Sequence, residues 1–157
     1  METKGIRILD KENRIVKINL SNILEEIKIG DQFEWSILYL HTTGDLGKGK
    51  SIPEFEEQII KSEKGFFITW KEINDLSLKF WDLMDIIIIA SRNKNLLLRY
   101  KDDQEMYQLC DIVIEKFDSC FWEVFSKDEK LINKLESKFK EVEFLDSDFK
   151  KYNAIDE

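Results

Sequence analysis

The sequence predicts an α+β fold, a mainly antiparallel sheet with about three amphipathic helices packed on it, and three observations carry that prediction. Short runs rich in Ile, Val and aromatic residues recur between turn-like segments, as strands do. Three hydroxyl residues are each followed three positions on by Glu and then by apolar residues at helical spacing. One run, Asp85-Ile86-Ile87-Ile88-Ile89-Ala90, is β-branched and apolar on both alternating faces, which marks a central strand covered on both sides.

Taken in order, Ile6 to Leu9 and Ile15 to Leu20 read as two short strands round the turn-like Asp10-Lys11-Glu12-Asn13, an edge hairpin. After Gly30-Asp31, the stretch Phe33 to Leu40 begins with apolar/polar alternation and ends as a continuous apolar run, so it predicts a strand passing from a half-wet face into the core. The helix starts are Ser51-Ile52-Pro53-Glu54, Thr69-Trp70-Lys71-Glu72 and Ser126-Lys127-Asp128-Glu129. Their buried stripes are expected at Phe55, Ile59 and Ile60, at Ile73, Leu76 and Phe80, and at Leu131, Leu135 and Phe139. Asn95 to Tyr100 reads as a short helix, Ile112 to Phe117 and Phe121 to Phe125 as a hairpin through Asp118-Ser119, and Val142 to Leu145 as a last strand with a frayed acidic tail from about residue 146.

With 157 residues, one Pro, six Gly and no biased linker, the chain is expected to form one domain over residues 1–157. A hydrophobic fraction of 43% with 12% aromatic residues is far from the composition of disordered chains. The net charge of −8 opposes nonspecific attraction to nucleic acid or anionic lipid and suits a basic partner. The opening Met1-Glu2-Thr3-Lys4-Gly5 leads into a charged segment, and the apolar run from Met84 to Ala90 is too short to span a bilayer. These features, with two cysteines and no metal-ligand spacing, predict a cytoplasmic protein whose Cys110 and Cys120 are free, buried thiols.

The sharpest motif is Gly44-Asp45-Leu46-Gly47-Lys48-Gly49-Lys50-Ser51, which satisfies the phosphate-loop pattern GxxxxGK[ST] between a predicted strand and a predicted helix. In that chemistry backbone N–H groups and Lys50 would cradle phosphates and Ser51 would sit on Mg²⁺. Asp45 inside the loop, Pro53 in the first helical turn and Glu54, Glu56 and Glu57 just beyond oppose it, and Ile86 to Ala90 runs into Ser91 and Arg92 without a metal-binding Asp. The loop is therefore expected to be a Gly-rich connection whose Ser51 caps a helix. His41 is the only histidine, so a two-His metal site is impossible, and it is expected at a strand end. Neither a catalytic set, a metal site nor a cofactor is predicted.

What remains is recognition. The acidic clusters Glu54, Glu56, Glu57 and Asp102, Asp103, Glu105 are candidate partner-binding residues, since carboxylates facing a basic partner speed association and disfavour wrong partners. Trp35, Trp70, Trp81 and Trp122 mostly sit on the apolar sides of their elements, and Trp122, between Phe121 and Glu123, is the candidate exposed anchor.

The residues Gly30-Asp31, Trp35, Thr43-Gly44-Asp45-Leu46-Gly47, Pro53-Glu54-Phe55-Glu56, Gly65, Trp70, Asp85-Ile86 and Trp122-Glu123-Val124-Phe125, spread over nearly the whole chain, resemble small bacterial immunity proteins of contact-dependent growth inhibition and related polymorphic toxin systems. The resemblance implies a protein that is not an enzyme and neutralises a cognate toxin domain, often a nuclease, by tight one-to-one binding. The competing expectations are a small phosphate-loop enzyme using Gly44 to Ser51 and an acidic inhibitor that mimics DNA.

Overall fold

The computed structural model describes residues 2–12 and 15–145. In chain order they form β1 (Lys4–Ile8), β2 (Lys11–Glu12), β3 (Ile15–Val16), α1 (Leu20–Leu24), β4 (Glu34–Gly44), α2 (Ile52–Lys61), β5 (Phe66–Ile68), α3 (Trp70–Ser77), β6 (Phe80–Ser91), α4 (Asp103–Leu109), β7 (Ile112–Phe117), β8 (Phe121–Ser126), α5 (Glu129–Lys138) and β9 (Val142–Leu145), with 3-10 turns at Gly30–Gln32 and Lys94–Leu96. Seven strands make one sheet in the order β5-β4-β6-β7-β8-β1-β9, and each neighbouring pair is antiparallel. β2 and β3 form a separate two-stranded ribbon. The α+β class is as predicted, with a larger sheet and, among the described residues, five α-helices in place of about three.

Strand alternation sends side chains to two apolar layers. Ile6, Ile8, Trp35, Ile37, Ile86, Ile88, Ile114, Trp122 and Val124 join the larger core, which α1, α2, α3 and α5 close with Ile23, Ile59, Ile73 and Leu135. Leu38, Ile89, Val113 and Phe125 face the other way, where Leu97 and the α4 residues Met106 and Tyr107 cover them and the Tyr107 ring stacks on Phe125. Strands covered on both faces read as continuous apolar runs, which is why β6 lies inside the sheet beside β7.

Local signals translate directly. Thr69 and Glu72 close a reciprocal capping box at α3, with Glu72 N donating to Thr69 Oγ1 at 3.1 Å and Thr69 N to Glu72 Oε1 at 2.9 Å. The β7–β8 hairpin turns at Asp118 and Ser119, whose φ angles of 47° and 59° match the twist of the flanking strands. Gly30 allows the Trp70 ring to stack on Trp35, because a Cβ there would come within 2.3 Å of Trp70.

Long-range pairing overturns several local readings. The expected edge hairpin of Ile6 to Leu9 with Ile15 to Leu20 does not form: β1 lies inside the sheet between β8 and β9, and residues from Leu20 begin α1. Its register sets Arg7 opposite Glu123, where the guanidinium donates from Nε to Glu123 Oε2 at 2.9 Å and lies over the Phe121 ring. A buried pair of this kind disfavours any one-residue slip, which would strand both charges. Asn95 to Tyr100 is a 3-10 turn followed by irregular chain, and the helix comes later, at α4, capped by Asp102. Ser126 is a β8 residue, so Asp128 caps α5 by accepting from Lys130 N at 2.9 Å. Phe80 belongs to β6, and Ile60 is exposed. The segment from residue 146, expected to fray, lies outside the described residues.

The outer edge of β4 beyond β5 is closed by side chains. Arg99 donates from Nη1 to Leu38 O at 2.7 Å, from Nη2 to Ile59 O at 2.7 Å and from Nε to Ser62 O at 3.0 Å. One planar cation thus joins the strand edge to the C-terminal carbonyls of α2, the end of the helix where positive charge is favoured.

Candidate partner-binding surface

The two acidic clusters occupy different layers. Glu54, Glu56 and Glu57 ride on α2, whose Ile59 is in the larger core, whereas Asp102, Asp103 and Glu105 surround the start of α4, whose Met106 and Tyr107 are in the smaller one. The sheet separates them, so they do not form one acidic plate.

Several of these carboxylates have structural work. Glu56 Oε2 accepts from Thr42 N at 2.8 Å, where β4 bulges against β6. Glu57 pairs with Lys61 one helical turn on at 2.6 Å, and that hydrogen bond, with the attraction of the ammonium, lowers the Glu57 pKa. Asp102 Oδ1 accepts from Gln104 N at 3.0 Å as the cap of α4. Glu54, Asp103 and Glu105 remain exposed near helix N-termini.

Trp122 is not an exposed anchor. Its side chain is 0% exposed, its Nε1 donates to Ile18 O at 2.9 Å, and the Lys116 ammonium lies 5.2 Å from the centre of its ring. Burial lowers the Lys116 pKa, against the opposing pull of Asp82 and Asp85. Trp35 is buried, and its Nε1 donates to Gly30 O at 2.8 Å.

The exposed tryptophan is Trp81, at 75%, and Leu78 beside it in the α3–β6 turn is equally open. Around them the chain brings two loops together. Gly44 pairs with Phe80, and Asp45 N donates to Lys79 O at 3.0 Å, so the Gly-rich loop runs alongside the α3–β6 turn. A groove of about 410 Å³ opens there, and Leu46, Glu54, Phe55, Leu76 and Lys79 help to line it. Asp45, Asp75 and Asp82 are exposed in the neighbouring sequence. Lys48, Lys50 and Lys79 are exposed there as well, so Leu78 and Trp81 stand as two large open apolar side chains among charges of both signs, and an exposed tryptophan is the kind of side chain that anchors protein partners. The sequence carried a weak sign of Leu78, since it falls off the Ile73–Leu76 stripe of α3; Trp81 precedes the apolar run of β6 and carried none.

In the Gly44–Ser51 loop, Asp45 Oδ1 accepts from Gly47 N at 2.8 Å and Lys50 N donates to Gly47 O at 3.0 Å, so two of its backbone donors turn inward. Ser51 caps α2 by accepting from Glu54 N, the structural role expected of it. The preceding strand, β4, is antiparallel to both of its neighbours. His41 lies within β4 and not at its end, opposite Asp85 in register, with Nδ1 3.6 Å from Asp85 Oδ2. The other Asp85 oxygen accepts from Asp118 N at 2.7 Å.

Both cysteines are free, but only Cys110 is buried, and burial pushes its thiol up to about 11; Cys120 is exposed at the β7–β8 turn. Among the described residues no three His, Cys, Asp or Glu side chains gather as metal ligands, and no helix is long and apolar enough to cross a membrane. No family model, no curated protein and no solved structure matches the chain.

Proposed function

We propose that this chain binds and neutralises a cognate toxin domain, in the manner of the immunity proteins its sequence resembles, by one-to-one association with a basic protein surface. The observation that carries the reading is that Leu78 and Trp81, close together in the chain, are each 75% exposed in a protein of net charge −8. Desolvation of a tryptophan and a leucine in a pocket of the partner supplies affinity, while the net negative charge of the chain steers a basic partner and repels acidic ones. Inhibition then follows from coverage, since an interface of ordinary size, about 800 Å² per partner, spans the mouth of most active sites. Glu54 belongs to this surface; Asp102, Asp103 and Glu105 lie across the sheet and would meet a partner only if it wrapped the edge.

The test is co-expression with the product of the adjacent reading frame, expected to end in a toxin domain. Relief of the toxin's growth arrest, with a one-to-one complex on size exclusion that weakens in high salt, is the expected result. The absence of a complex at micromolar concentrations of both proteins would overturn the proposal. Saturable nucleotide binding abolished by Lys50→Ala would favour the phosphate-loop reading instead, and capture of a DNA-processing enzyme unconnected with any toxin would favour DNA mimicry.

A further inference from the structure

At the other end of the sheet, the segment after α1 and the first turns of α5 enclose a cleft of about 480 Å³ over the β6–β7 connection, within the size range of sites for small organic ligands. Its floor is apolar: Ile27, Ile112 and Leu131 are buried and Ile29 and Phe33 are partly open. Its rim runs against the charge of the whole protein, since five basic side chains, Lys28, Arg92, Lys127, Lys130 and Lys134, stand there against three acidic ones.

The acids are already engaged. Glu26 pairs with Lys138 at 3.0 Å, Asp111 Oδ2 accepts from Arg92 N at 2.8 Å, and Asp128 caps α5. The cations are not neutralised. Lys28 and Lys127 donate to the carbonyls of Glu25 and Leu109, and Arg92 donates to the Gln32 amide oxygen, all uncharged acceptors. Among the described residues, Lys130 and Lys134 have no carboxylate within 4.0 Å. They stand one turn apart on α5, a like-charged spacing that is unfavourable without an anion between them.

We infer that this cleft binds a small amphipathic organic anion, its apolar body on Ile29, Phe33 and Leu131 and its carboxylate, sulfonate or phosphate between Lys130 and Lys134. An apolar floor alone would take neutral ligands equally well; the unneutralised rim selects for negative charge. The site lies apart from Leu78 and Trp81 and does not depend on the toxin-binding reading.

Anilinonaphthalene sulfonate is the probe, titrated by fluorescence against the folded full chain, with neutral N-phenylnaphthylamine for comparison. Saturation at one probe per chain is expected, with affinity falling about tenfold for each of Lys130→Gln and Lys134→Gln, the loss of one charge-assisted hydrogen bond. Trp81→Ala should leave the titration unchanged, and amide shifts on binding should centre on Ile29, Phe33 and Ile112. Equal affinity for the neutral analogue, indifference to both lysine substitutions, or shifts centred elsewhere would each overturn the assignment.

Discussion

The Glu56 carboxylate holds the backbone of Thr42, accepting from its N–H at 2.8 Å where the β4–β6 register shifts between His41 and Thr42. A bulge leaves a strand N–H without its ladder partner, and α2 supplies the missing acceptor. Glu56→Ala is therefore expected to cost about 2 kcal/mol, in the range of hydrogen bonds to charged groups, whereas Glu57→Ala on the exposed side should change stability little. Urea denaturation of the two variants checks this, and equal midpoints would refute it.

Arg99 bonds three carbonyls from two elements, Leu38 on β4 and Ile59 and Ser62 on α2 and its cap. Arg99→Ala should destabilise by about 3 kcal/mol, and Arg99→Lys should recover less than half of that, because an ammonium cannot reproduce the planar fork. A lysine variant with wild-type stability would show that charge, not geometry, holds the edge.

Trp81 and Trp122 should separate binding from folding. Trp81→Ala should leave the thermal midpoint almost unchanged and weaken a toxin complex by about thirtyfold, a hot-spot loss near 2 kcal/mol. Trp122→Ala should cost about 4 kcal/mol through loss of a large core side chain and leave the Ile18 carbonyl without its donor. Calorimetry of folding and of binding on both variants distinguishes the roles. A complex indifferent to Trp81→Ala would move the contact face elsewhere.

The thiols should differ in reactivity. At neutral pH an alkylating reagent should modify exposed Cys120 within minutes and leave Cys110 untouched until the chain unfolds, since its thiol titrates near 11. Peptide mass spectrometry reads both sites at once, and early modification of Cys110 would contradict the packing between Tyr100 and the smaller core.

Two groups give stability opposite pH dependences. Hydrogen bonds from the Thr69 backbone, then its side chain, lower the Glu72 pKa from its ordinary 4.5. Its contribution is complete above that value and is lost as pH falls through the lower folded one. At Lys138, burial disfavours the charge, but hydrogen bonds to Glu25 and Glu26 outweigh it and raise the pKa above 10.5. That contribution is complete below the ordinary value and is lost as pH rises through the folded one. Urea midpoints followed across pH should therefore lose part of their acid-side decline in Glu72→Gln and part of their alkaline decline in Lys138→Met. Both effects are small, because Glu72 is exposed and the Glu25 partner of Lys138 is more than half open to solvent.

By itself the sequence determined what neighbouring residues decide among themselves: the reciprocal cap of Thr69 and Glu72, the Ser51 cap, the Asp118-Ser119 hairpin, and the apolar run that placed β6 inside a sheet. These depend on hydrogen bonds and periodicities spanning a few residues. Tertiary structure alone decided that β1 pairs with β8 and β9, that Glu56 serves Thr42, that the two acidic clusters lie across the sheet from one another, and that Trp81 and not Trp122 meets solvent. Alternation along a strand says which side chains share a face; it does not say which strand lies alongside or what covers that face. In a sheet buried on both sides, exposure is set where covering elements end, and their extent depends on contacts between residues far apart in the chain.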